Sequence, residues 1–104
     1  MQWARLRQEQ VGEVIFVMKD TVLGFLKRQV ERGKWREVME VLKGKPLTQA
    51  GRFMLFELRD KVVRTLIIRM GLRKAIAVAL AIVLLPIILA KVASEVIGWL
   101  RNRQ

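Results

Sequence analysis

Apolar positions recur at helical spacing along most of this chain. Between residues 9 and 31, Val11, Val14, Ile15, Met18, Val22, Phe25, Leu26 and Val30 return every three or four positions, which is one face of a 3.6-residue period. Gly33 predicts where that helix stops. Residues 34–43 repeat the pattern in brief through Trp35, Val38, Met39 and Leu42, and Gly44 and Pro46 end it. A third helix is expected from Thr48, a suitable N-cap, through Phe53, Phe56, Val63, Ile67 and Met70. No strong breaker follows, so it is expected to run on into the next segment with at most a bend at Gly71.

From Ala75 to Ala90 the periodicity disappears because every side chain is apolar (AIAVALAIVLLPIILA). At 1.5 Å per residue these sixteen positions cover roughly 24 Å, and extension through Val92, Ala93 and Ser94 gives a segment close to the ~30 Å hydrocarbon thickness of a bilayer. A core helix in a protein of 104 residues normally keeps a polar stripe, so the run predicts a transmembrane helix over 75–100. Pro86 removes one intrahelical N–H, which kinks but does not forbid a membrane helix. Two alternatives stay open. Pro86 could separate two short core helices in a soluble hairpin, or bend a re-entrant one. The expected fold is all-α, with three amphipathic helices followed by a C-terminal hydrophobic helix kinked at Pro86.

Charge divides at the same place. Residues 1–74 carry seventeen Lys and Arg against eight Asp and Glu, a net of +9, and residues 75–104 carry three against one, completing the total of +11. Arg59, Lys61, Arg64, Arg69, Arg73 and Lys74 lie within the distance over which cations orient a span. Four regions result: a basic amphipathic region 1–47, a basic juxtamembrane helix 48–74, the span 75–100 and a short basic tail 101–104. The first three quarters are expected in the cytoplasm and the tail across the membrane. The apolar run lies far from the amino terminus and so is no signal peptide; insertion would resemble that of tail-anchored proteins. Arg52, Arg59, Lys61, Arg64, Arg69, Arg73 and Lys74 are the candidate contacts for anionic lipid headgroups or a partner.

Details of the span carry further expectations. Ala90, Ser94 and Gly98 fall four apart and form a small-residue face suited to close helix approach, and Ala75/Ala79 and Ala77/Ala81 repeat the step. Lys91 and Glu95 can compensate one another near the boundary, and Trp99 falls where a membrane-interface aromatic would sit. The expected partners are bilayer lipids and other membrane subunits or a second copy.

The residue inventory bears on chemistry. There is no Cys, His or Tyr, and Ser94 is the one serine. Disulfides, thiolate or imidazole catalysis and the usual zinc ligand sets are thereby excluded. Glu37/Glu40 and Glu57/Asp60 are carboxylate pairs at i,i+3, and are expected to be solvated acids balancing nearby cations. Leu42-Lys43-Gly44-Lys45-Pro46 lacks the second glycine and the Lys-Ser/Thr ending of a phosphate loop and reads as a turn. Met18, Met39, Met54 and Met70 sit at core spacing and call for no cofactor. The cations alternate with acids and do not interleave with aromatics, which disfavours a nucleic-acid surface. The sequence thus points to a non-catalytic accessory or assembly subunit of a membrane complex. The alternatives are a holin-like permeabilising oligomer and a soluble helical interaction domain.

Overall fold

The computed structural model describes residues 8–44 and 48–102. Pro46, expected to help end the second helix, and Arg103 of the basic tail lie outside them. The described residues form four helices and no strand: α1 (Gln8–Glu31), α2 (Trp35–Lys43), α3 (Gln49–Met70) and α4 (Lys74–Asn102). The long helices α1, α3 and α4 pack on one another, and the short α2 packs on all three.

The heptad-like face of α1 is the foundation of the core. Val14, Met18, Val22, Leu26 and Val30 are buried, as is Phe25. The Thr21 hydroxyl, also on this face, donates to the Val17 carbonyl at 2.8 Å, so its burial leaves no unmet donor. Gly33 takes a positive φ of 80° and turns the chain into α2. The Trp35 indole N–H donates to the Val30 carbonyl at 3.0 Å, fixing α2 against the end of α1. Val38 and Val41 then close the core from below.

Thr48 caps α3 as its sequence context suggests. Its hydroxyl accepts from the Gly51 N–H at 3.0 Å, while its own N–H and hydroxyl donate to the Glu40 carboxylate at 2.8–3.0 Å. The cap thus also ties α2 to α3. Thr48→Ala removes both functions and should lower stability by about 1 kcal/mol, readable as a shift in the urea midpoint.

The expected passage from α3 straight into the apolar segment does not occur. α3 ends at Met70, and Gly71 adopts φ 65° with its N–H bonded to the Ile67 carbonyl, a left-handed stop that glycine accepts without a Cβ penalty. The chain reverses through residues 71–73, and α4 returns along α3. Leu55 and Arg59 of α3 line one groove with Ala81, Ile82, Leu85, Pro86 and Leu89 of α4. α1 and α3 run antiparallel, since Asp20 faces Arg69 while Gln29 faces Phe53 and Glu57. α4 runs as a single helix through Pro86, so the soluble arrangement in which Pro86 breaks it into a hairpin is not formed.

α3 also differs in register from its expected face. Met54, Leu58, Val62, Val63 and Leu66 are buried, whereas Phe53 and Phe56 are 65% and 57% exposed.

Candidate membrane and partner surfaces

α4 has two apolar sides. The inward stripe, Ala77, Ala81, Leu85, Ile88, Leu89, Val92, Val96 and Leu100, is buried in the bundle. The small residues Ala77 and Ala81 admit close approach where the helix leaves the turn. The outward stripe contains Ala75, Ala79, Ile82, Val83, Pro86, Ile87 and Ala90, all exposed and none charged. Arg73 and Lys74 stand at one end and Lys91 at the other. Only a third of the most apolar 18-residue stretch of α4 is buried, much less than a core helix would show. α4 is long and apolar enough to cross a bilayer, about 43 Å by its 29 residues.

The small-residue face expected to pack does not take part in the bundle. Ala90 and Ser94 are exposed and Gly98 is half-buried, on the outward side. Lys91 and Glu95 are both exposed with no ion pair between them. Trp99 is half-buried and packs against the core.

The seven cations named as candidate lipid or partner contacts are distributed over different sides of the bundle. Arg59 lies in the α3/α4 groove. Arg52 is exposed seven residues before it, two turns along the same side of α3. Lys61 and Arg64 line the α1/α3 groove with Arg28, Arg32, Glu57 and Asp60, and Arg64 pairs with Asp60 at 3.0 Å. Arg69 faces Asp20 of α1 at 3.7 Å, both well exposed, a contact worth little by itself. Arg73 and Lys74 are exposed at the hairpin. Carboxylates thus accompany the cations on the α1 side of α3, and none lines the groove on the α4 side. That division was not legible from charge counting.

In the α1/α3 groove, desolvation and then the Arg28 and Arg64 charges lower the Lys61 pKa below the ordinary lysine value of 10.5. The unfolded chain therefore binds more protons in the alkaline window just under that value, and stability contributed by this group rises with pH there. Lys61→Gln should flatten that rise, as measured by urea unfolding from neutral to alkaline pH.

Elsewhere an open cavity of about 570 Å³ lies between α2 and the end of α4, lined by Trp35, Met39, Thr48, Ile97 and Leu100 among others. Among the described residues, no cluster of three or more His, Cys, Asp or Glu could hold a metal ion. The Glu57/Asp60 pair stands among four cations and offers no isolated acid/base couple. No protein-family model matches the chain, and no curated protein and no solved structure does.

Proposed function

We propose that this chain is a non-catalytic, membrane-attached helical module, an accessory or assembly subunit that holds a larger complex at the bilayer through α4. The observation that carries the reading is the uncharged outward stripe of α4, open to solvent over about 24 Å and bounded by cations at both ends. Contiguous apolar surface of that kind marks a lipid or protein contact. The cations at its ends suit anionic headgroups. In the bundled arrangement α4 lies lengthwise in the interface, outward stripe down, and the α1/α3 groove faces away from the lipid, available to an acidic partner.

The length and hydropathy of α4 also favour a second state, the single span with residues 1–74 on the cytoplasmic side and the tail opposite. α1 and α3 carry charges every few positions, so they cannot follow α4 into hydrocarbon without large cost. Spanning therefore requires α4 to swing away from them about Gly71. Membrane extraction tests both. Alkaline carbonate should release a chain docked on the surface and leave a spanning chain in the pellet. A chain found only in the soluble fraction before extraction would overturn the membrane reading.

A further inference from the structure

Among the described residues, Arg59 differs from every other cation in its setting. Its Nε is buried with no hydrogen-bond partner among the described residues. Its guanidinium carbon lies 5.7 Å from the centroid of the Phe56 ring, within cation–π range. It borders a small groove of about 110 Å³ whose other walls include Leu55, Ile82, Leu85, Pro86 and Leu89. A buried guanidinium N–H without an acceptor costs stability, and none of the lining side chains can relieve it. The acids closest on α3, Glu57 and Asp60, line the opposite groove. Pro86 leaves the Ile82 carbonyl without its helical N–H, yet Arg59 Nε makes no bond to it either.

We infer that the α3/α4 groove binds the phosphate of an anionic phospholipid, with Arg59 as the group that takes it. This rests on the membrane reading above and deepens it. A guanidinium offers a fork of N–H donors that matches two oxygens of a phosphodiester. Phe56 holds the fork from one side, and the apolar groove beside it fits the first methylenes of an acyl chain. Ile82 and Pro86, both exposed, form the rim of the groove on α4, and exposed Phe56 lies beside the Arg59 guanidinium. A free anion would satisfy the guanidinium and leave that apolar rim in water, whereas a lipid covers both. Arg52, two turns away on the same side, adds attraction without needing burial. In this placement the terminal N–H groups of Arg59, which unlike Nε are not closed off, take the phosphate when the outward stripe of α4 is against a bilayer.

The test is co-sedimentation of the full chain with vesicles of phosphatidylcholine alone and of phosphatidylcholine mixed with phosphatidylglycerol. The native chain should bind the mixed vesicles about tenfold more tightly than the neutral ones, and Arg59→Ala should lose most of that preference, leaving only what the cations at the stripe ends and Arg52 supply. Arg64→Ala removes the same unit of charge from the other side of α3 and should keep most of the preference. Arg59→Lys, which retains charge but not the fork, should lose several-fold and serves if the alanine variant does not fold by circular dichroism. Equal losses for Arg59→Ala and Arg64→Ala would reduce the effect to net charge and overturn the site. Displacement from mixed vesicles by millimolar inorganic phosphate, with a matched chloride control unaffected, would assign the site to a free anion and overturn the lipid. Failure to bind either vesicle overturns the membrane reading itself; binding to both with no dependence on Arg59 overturns only this site.

Discussion

Replacing Val83 and Ile87 together with glutamate should leave the bundle folded and reduce its binding to lipid vesicles on the order of a hundredfold. The two side chains are 63% and 50% exposed, and substitutions at such positions usually change stability by no more than about 0.5 kcal/mol. Glutamate is also a better helix former than either β-branched residue. In the bilayer interface the same change removes two apolar anchors, each contributing on the order of 1 kcal/mol for the half of its surface still to be buried. It also places two carboxylates in the middle of the uncharged stripe, beside anionic headgroups. Together these exceed the roughly 2.7 kcal/mol that a hundredfold loss requires. Circular dichroism checks the fold, and vesicle co-sedimentation reads the binding. Retained binding by a folded variant would show that the outward stripe of α4 is not the lipid contact.

Boundaries marked by a local backbone device were legible in the sequence. Thr48 does cap α3, and Gly33 and Gly44 do end α1 and α2 with positive φ. Most of the face of α1 was legible as well, from Val14 to Val30, because polar residues interrupt it on one side and set its phase; Val11 at its start is exposed, and buried Val17 was not on the expected face. Two features were not. Gly71 looked like a bend because apolar residues continue on both sides of it, and a single glycine does not announce whether the chain kinks or reverses. Only its left-handed conformation and the bond from its N–H to the Ile67 carbonyl make it a stop. The phase of α4 was also hidden. Where all of residues 75–90 are apolar, spacing cannot say which side meets α1 and α3. The small-residue rule offered Ala77/Ala81 and Ala75/Ala79 beside Ala90, Ser94 and Gly98, and could not say that the bundle takes Ala77 and Ala81 and leaves the others on the outward side.

In α3 the aromatic residues misled in a different way. Phe53 and Phe56 have the largest apolar surfaces of the helix and were expected inside, but Met54, Leu58, Val62 and Leu66 form an inward stripe at i,i+4 spacing that fits better against α1 and α4. The exposed phenylalanines then have separate settings, Phe56 beneath Arg59 and Phe53 in a groove with Gln29 and Met54. The candidate site followed from this shift. A list of seven cations contained Arg59, but only tertiary packing distinguishes the one turned to the apolar helix from those accompanied by acids on the other side.

The bundle itself is tested by truncating α4 at two neighbouring positions that face opposite ways. Leu85 is 2% exposed and meets α3, whereas Ile87 is half exposed on the outward stripe. Leu85→Ala should lower unfolding stability by about 2–5 kcal/mol, since it removes buried methyl groups and leaves a cavity that rigid neighbours fill poorly. That is a large share of the total for a domain of this size, and should lower the melting temperature by roughly 10 °C or more. Ile87→Ala should cost under about 1 kcal/mol, because half of its surface never leaves water and alanine is favoured in a helix. The comparison separates the two membrane states. If α4 leaves the other helices to span the bilayer, neither truncation weakens what holds α1, α2 and α3 together, and unfolding of the protein in mild detergent should shift equally little for both. Unequal shifts in detergent mean that α4 stays docked in the bundle while its outer face is in the apolar phase. Equal and small shifts in plain buffer, where no apolar phase competes, would show that the inward stripe of α4 does not pack as described.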